Sequence, residues 1–315
     1  MSLENYEQKR RRNWILFFAN DDWFANDDPC PPFEKAGDAM TTKPTTEAED
    51  LRSTFVRNLI LEQAKRAIDE ERLHVDSSEN AIPKKILQYW HDPADLPADV
   101  RECMASWEQL AERGFEFFLY DDVSAAEYIA GRYGKREQDA FERCAHPAMR
   151  SDYLRLCFIV EEGGLYVDAD DVLIGDGWIH LFDGDRLKMQ PLCYDINAGG
   201  MMPAADIWNP NLSSDGRIYY VNNNPLAAPA RHPMLIHALD RATDKLLSDD
   251  PNPEIQSTTG PGNLTIALVA HAEGLQSCGR PLDFEFLKEW DSIAEIRWQL
   301  SYREDERNWR NVYGC

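Results

Sequence analysis

Several common signatures of chemistry are missing from this sequence. None of its 7 histidines falls in an H-E-x-x-H pair, and neither a Walker A loop nor a G-x-G-x-x-G stretch occurs. The usual hydrolytic-zinc and nucleotide-loop readings therefore lack their markers. Cysteine is sparse and odd in number, 7 residues with no C-x-x-C spacing, so neither a disulfide framework nor a zinc ribbon is expected. Positive charge is short as well: 33 Lys and Arg face 56 Asp and Glu, leaving a net charge of -23. A surplus of acids on that scale repels a phosphate backbone and an anionic bilayer, which argues against nucleic-acid and membrane-surface partners. The basic run Lys9–Arg12 is too short to reverse it. Long apolar runs are lacking too. The stretch from Trp14 to Ala19 stops at Asn20-Asp21-Asp22, short of the ~7–15 residues of a secretory core or the ~20 of a membrane span. No membrane span is expected, and a reducing cytoplasm is the expected compartment.

What the chain does have is length and apolar content: 315 residues, 43% hydrophobic, enough to bury a sizeable core. Residues 1–50 differ from the rest. They carry a tandem echo, F-A-N-D-D-W at 18–23 and F-A-N-D-D-P at 24–29, then a Pro-rich turn and a polar run, the pattern of a loosely ordered leader. From Thr46 the run T-E-A-E-D supplies a cap and early acids. Leu51, Phe55, Val56, Leu59, Ile60, Ala64 and Ile68 then recur at helical spacing, predicting one long amphipathic helix to about Leu73. The expected division is residues 1–80, leader and helix, and residues 81–315, the catalytic domain.

That domain opens with K-K-I-L-Q-Y-W (84–90), a short strand ending in an aromatic pair. A helix over about Ala98–Arg113 precedes F-E-F-F-L-Y-D-D (115–122), a strand closing in an acidic turn. Helices follow near Ser124–Tyr133, Glu137–Cys144 and Pro147–Glu162, then a strand, L-Y-V-D-A-D-D-V-L-I (165–174). Alternation of this kind predicts an α/β fold with a largely parallel sheet.

Chemistry-bearing residues are densest between Arg150 and Asp171. On the helix, Asp152 and Arg155 are three apart and share a face, while Leu154, Cys157, Phe158 and Val160 can face a core. Gly163-Gly164 ends the helix. Period-two geometry then sets Tyr166, Asp168 and Asp170 on one face of the next strand, with Asp171 leaving to the other. Two carboxylates projecting together repel each other, and a hard divalent ion, Mg²⁺ or Mn²⁺, relieves that by sharing them and completing its shell with water and phosphate. An isolated D-x-D in so acidic a chain is more often a solvated turn; the surrounding residues change those odds.

The combination S-D-Y-L-R (151–155) followed by G-G-L-Y-V-D-A-D (163–170) resembles the DXD-containing glycosyltransferases that include yeast Golgi mannosyltransferases and bacterial capsular-polysaccharide sugar transferases, and more distantly the glucosylating domains of large clostridial toxins. I-P-K-K-I-L-Q-Y-W (82–90), M-A-S-W-E (104–108), F-F-L-Y-D-D (117–122) and T-G-P (259–261) extend the resemblance over about 82–270 and leave 1–80 uncovered. Leu87 stands where the family has a histidine, Arg150 replaces a small residue, and Asp171 replaces an apolar one.

The resemblance implies an α/β fold of the GT-A type: a Rossmann-like nucleotide-sugar-binding half continuous with an acceptor-side region, here with an N-terminal helical extension. It implies a retaining transfer from a UDP- or GDP-sugar to a glycan, protein or small-molecule acceptor. Asp168 and Asp170 become the metal pair, with Asp168 also on the ribose. Asp152 and Arg155 hold the donor sugar, Tyr166 lies by the diphosphate or ribose, and Trp90 with Tyr89 lies at the base. In the tail, Asn308 and Trp309 are the counterpart of a segment that closes over donor and metal, Asn308 as a further metal ligand. Each has a plainer alternative: Trp90 a core aromatic, Asp152 and Arg155 a surface ion pair, Asn308-Trp309 the packed end of a helix. In Y-Y-V-N-N-N-P (219–225), Asn222 and Asn223 read as turn residues, with bonding to sugar hydroxyls as the alternative. In T-T-G-P-G-N (258–263), Asn263 reads as a helix cap and Thr259 and Gly260 as an acceptor-side wall. A metal-dependent phosphohydrolase and an inactive sugar-nucleotide-binding module remain open beside the transferase.

Overall fold

The computed structural model describes residues 46–70, 81–250, 253–305, 307–308 and 311. The tandem echo, the basic run, Trp14–Ala19 and Trp309 lie outside them. The first element is the expected long helix, α1 (Thr46–Glu70). Val56, Leu59 and Ile60 are buried in the main core of the molecule, so the helix shares that core rather than standing off it. Two of its polar residues finish sheet edges. Ser53 Oγ donates to the Arg217 carbonyl at 3.1 Å and accepts from Tyr219 N at 2.9 Å. The Gln63 amide donates to the Phe284 carbonyl at 3.1 Å and accepts from Phe286 N at 2.8 Å.

The chain then alternates: β1 (Lys85–Tyr89), α2 (Ala98–Glu108), β2 (Glu116–Tyr120), α3 (Asp122–Arg132), α4 (Lys135–Glu142), α5 (Pro147–Glu162) and β3 (Gly164–Tyr166). Helix starts follow local chemistry. Asp121 caps α3 in a capping box with Ser124. His146 Nδ1 accepts from Ala148 N at 3.0 Å ahead of Pro147, capping α5. After β3 come β4 (Asp171–Leu173), β5 (Leu187–Asp195), β6 (Gly200–Met201), α6 (Ala204–Ile207), β7 (Arg217–Ala228), α7 (Pro233–Leu247), α8 (Ile255–Thr258), α9 (Pro261–Ser277), β8 (Phe284–Phe286), α10 (Trp290–Ile293) and β9 (Ala294–Ile296). No described helix is long and apolar enough to cross a membrane.

The α/β character expected from the alternation is present. The main sheet runs β2-β1-β3-β7-β5-β6, with β8 beside the start of β5. β2, β1 and β3 are parallel, as are β5 and β8, whereas β7 lies antiparallel between β3 and β5 and β6 folds back on β5. The short β5–β6 link leaves no room for the crossover that a parallel pair needs. Both sheet faces are covered. Leu87, Tyr89 and Tyr166 enter the larger core beneath α5, α7 and α9, and Ile86, Leu165 and Val167 enter a smaller one with Trp107 and Trp290. Because β1, β2 and β3 are parallel, their carboxyl ends share one edge, where ligands of open α/β sheets gather.

The α5–β3 junction is tight. Gly163 and Gly164 have φ of +66° and +108°, and a Cβ would stand 2.7 Å from Ala230 N on the first and 2.6 Å from the Lys85 carbonyl oxygen on the second. The strand expected over 165–174 is broken in two. It leaves the sheet after Tyr166, turns through Ala169-Asp170 with Asp171 N on the Asp168 carbonyl at 3.2 Å, and resumes as β4 in a separate two-stranded sheet with β9. Ser106 and Trp107 of α2 secure that second piece: Ser106 Oγ accepts from Leu173 N at 2.9 Å and Trp107 Nε1 donates to the Asp171 carbonyl at 3.0 Å.

Candidate active site

At the shared strand edge the side chains converge on Arg155. This arginine is buried, one turn after Asp152 on α5. Its Nη2 lies 2.9 Å from Asp152 Oδ1 and 3.3 Å from Asp168 Oδ1. Its Nη1 donates to the Asn223 carbonyl at 2.7 Å, and the guanidinium carbon stands 3.9 Å from the centre of the Tyr166 ring. The surface ion-pair alternative does not hold, since both Asp152 and Arg155 are buried. Tyr166 is buried beneath them; its hydroxyl donates to Asp168 Oδ1 at 2.7 Å and sits 2.8 Å from Ser151 Oγ. It thus supports Asp168 from below.

Four carboxylates meet here. Asp152 receives Asn223 Nδ2 at 2.8 Å on one oxygen and Thr259 Oγ1 at 3.2 Å on the other. Burial pushes its pKa up to about 6, against the pull of Arg155. Asp168 is the most open, 38% of its side chain exposed, and its backbone N–H is held by Asn224 Oδ1 at 3.0 Å. Asp170 is pushed up by burial and by the negative charge of Asp168. Asp171 is fully buried and pushed well above the ordinary carboxylate range, chiefly by desolvation. Asn224 Nδ2 donates to its Oδ2 at 2.8 Å, while its Oδ1 has no partner.

The chain's end covers Asp170. Tyr302 donates its hydroxyl to Asp170 Oδ2 at 2.6 Å and Arg303 pairs with the same oxygen. The Tyr302 ring meets Trp90 edge-on, centroids 5.3 Å apart, and Trp90 is buried beside Ala169 and Leu300 with its Nε1 on the Asp95 carbonyl. Trp90 therefore lies under the tail, one layer from the acids. Asn308 Nδ2 donates to the Arg303 carbonyl at 2.9 Å, supporting the loop that carries Arg303. Tyr89 enters a flanking network: its hydroxyl donates to Asp122 Oδ1, which also receives Arg150 Nε at 2.7 Å. A separate surface recess between Gln109–Arg113 and Leu173–Trp178 contains none of these residues.

Two guanidinium groups, Arg155 and Arg303, face four carboxylates. The donor set suits a hard divalent ion: Asp168 and Asp170 offer oxygens, burial and then the charge of Asp168 raise Asp170, and Asp171 Oδ1 is buried with no partner. Asp170 and Asp168 are the residues that would share such an ion.

Several expectations change. Asn263 is not a helix cap: it is fully buried inside α9 with Nδ2 on the Ala238 carbonyl at 2.9 Å, and Gly260 occupies the N-cap. The asparagines of 222–224 lie within β7 rather than in a turn. Asn223 and Asn224 serve Asp152, Asp168 and Asp171, while Asn222 faces Gln190 at 3.3 Å. Thr259 joins Asp152, with Gly260 next to it at the head of α9. Tyr302 and Arg303 escaped sequence reasoning, because nothing local in S-Y-R-E marks a partner 132 or 133 positions away.

The site is an acid-rich cluster at the parallel strand edge of an α/β fold. Residues 38–174, which carry Asp152, Arg155, Asp168 and Asp170, are similar to the family described as "Capsular polysaccharide synthesis protein". No curated protein matches the chain. Among solved structures it is similar to one described as "PaToxG Glycosyltransferase", at 15% identity and a TM-score of 0.36, over 84% of this chain and 98% of that one.

Proposed function

We propose that the chain is a metal-dependent, retaining glycosyltransferase of the GT-A type, moving a sugar from a UDP- or GDP-sugar to a glycan, protein or small-molecule acceptor. The observation that carries this reading is the placement of Asp152, Arg155, Asp168 and Asp170 together at the carboxyl ends of β1 and β3, where the chain leaves the sheet. The similarity over residues 38–174 points the same way. A phosphohydrolase built on two metals usually adds histidine ligands, and among the described residues no histidine is hydrogen-bonded or ion-paired to these acids.

In this reading Asp168 and Asp170 share Mn²⁺ or Mg²⁺. When bound, the ion supplies positive charge to a leaving diphosphate. Asp152, with both oxygens already accepting hydrogen bonds from Asn223 and Thr259, accepts further bonds from donor-sugar hydroxyls. Arg155, itself buried, fixes the relative positions of Asp152 and Asp168 and adds fixed positive charge where a negative one develops. Tyr166 and Ser151 position Arg155 and Asp168. Arg303, now on Asp170, is free to turn to the donor phosphates once the acids are neutralised. Trp90, Tyr89 and Asn308 belong to the nucleotide side and its cover, while Trp309 lies outside the described residues.

Isothermal titration with nucleoside diphosphates and nucleotide sugars, with and without Mn²⁺, followed by a donor-hydrolysis assay, tests this. Metal-dependent binding and slow donor hydrolysis are expected, both lost in Asp170→Ala. Full-strength binding in excess chelator would sink the metal dependence. Binding without turnover identifies an inactive module, and cleavage of simple phosphomonoesters without donor binding identifies a phosphohydrolase.

A further inference from the structure

A second group of ligand-type side chains lies away from the four acids. His232 stands at the N-cap of α7, His271 lies on α9, and Asp283 immediately precedes β8. His232 makes no cap hydrogen bond to its own helix, unlike His146, whose ring caps α5. Its ring turns instead to Asp283, with Nε2 3.2 Å from the Asp283 carbonyl oxygen and 3.7 Å from Oδ1. His271 Nε2 lies 2.7 Å from the same Oδ1. Among the described residues this is the one group of three His, Cys, Asp or Glu side chains whose ligand atoms all fall within 4.8 Å of one another.

We propose that His232, His271 and Asp283 bind a divalent transition-metal ion of the zinc class, tying the start of α7 and the lead into β8 to the middle of α9.

Two arguments support the assignment. Zinc takes imidazole nitrogen and carboxylate oxygen at ~2.0–2.2 Å in tetrahedral array, which sets neighbouring ligand atoms ~3.3–3.5 Å apart. The separations of 2.7 and 3.7 Å to Asp283 Oδ1 lie either side of that spacing, and all three ligand atoms fall within 4.8 Å of one another. Finally, Asp283 keeps 32% of its side chain exposed while the imidazoles are largely covered, leaving a solvent-side position for water as fourth ligand. Two imidazoles with one carboxylate favour zinc over magnesium or manganese, the reverse of the preference of the all-oxygen acids.

The full chain, stripped with chelator and dialysed, is titrated with Zn²⁺ by calorimetry and by competition with a chromophoric chelator. One zinc per chain is expected, with a raised Tm. His271→Ala should weaken the affinity by at least about 100-fold, more than loss of an outer partner of a ligand typically costs, while Asp170→Asn leaves it unchanged. Cobalt substituted into the unaltered chain should give the intense visible bands of a tetrahedral site, which keeps the test independent of whether His271→Ala folds. No zinc uptake and no such bands would leave only a hydrogen-bonded triad and overturn the proposal. Zinc binding abolished by Asp170→Asn would overturn it too, by moving the metal to the acidic cluster.

Discussion

Tyr302 and Asp170 are 132 positions apart in sequence, yet the phenol hydroxyl lies 2.6 Å from the carboxylate, and Arg303 pairs with the same oxygen. The tail therefore supplies a counter-charge to Asp170, and under the proposed function guanidinium and ion would compete for that one carboxylate.

Arg303→Gln removes that competition. Mn²⁺ affinity measured without nucleotide, by electron paramagnetic resonance, should tighten on the order of tenfold, or ~1.4 kcal/mol. Sugar transfer should fall because the cation beside the donor is gone. An affinity that is unchanged or weaker would show that Arg303 and the ion do not share Asp170.

Arg155→Lys retains the charge but loses the planar fork that reaches Asp152, Asp168 and the Asn223 carbonyl together. Removing one partner of a buried pair costs ~3–5 kcal/mol; with a charge retained, a loss of ~2–3 kcal/mol is expected by denaturant titration. Turnover should fall much more than nucleotide affinity. Wild-type turnover in this variant would remove Arg155 from the chemistry.

Asp152 carries a pH signature. Its pKa is about 6 in the folded chain, above the ordinary value of 3.8, so the folded state binds the extra proton and this group's contribution falls as pH rises through that window. Asp152→Asn does not titrate. Its stability relative to wild type should therefore improve from pH 4 to pH 7 by on the order of 2 kcal/mol, on top of a constant loss from its contact with Arg155. Asp170 and Asp171 are also pushed up, but they are common to both proteins. Parallel melting curves across that range would contradict a raised Asp152.

Gly164→Ala should be among the most damaging single-methyl changes. Its φ of +108° is unsuited to alanine, and the new Cβ would meet a backbone carbonyl of β1 at 2.6 Å. A loss above ~3 kcal/mol or failure to fold is expected; a Tm within a degree of wild type would contradict the geometry.

Helix α5 was legible to the residue because its signals are local: His146 and Pro147 at the start, two glycines after Glu162, and apolar spacing between them. The pairing of Asp152 with Arg155 was legible from their spacing on one helix face, whereas their grouping with Asp168 rested on the resemblance; the tight α5–β3 junction is what holds the three together. The strand over 165–174 was misread. Its second half pairs with Ala294–Ile296, a partner that no local period indicates, and the alternation of apolar and acidic residues continues across the turn. The asparagines before Pro225 likewise looked like turn chemistry until Asp152, Asp168 and Asp171 arrived from elsewhere in the chain. What sequence could not supply was long-range pairing of polar groups, the property that builds this site.

Gln63 has a consequence for how the chain behaves among its own copies. Its amide spans a carbonyl and an N–H on the outward side of β8, occupying two of the groups through which a foreign strand would attach. The helix thus acts as a molecular blunt end for the sheet. A chain shortened to begin at residue 81 would leave Phe284-Glu285-Phe286 open for strand addition, alongside the apolar ground vacated by Val56, Leu59 and Ile60. Self-association, rather than loss of the acidic cluster, would be the first sign that the helix was gone.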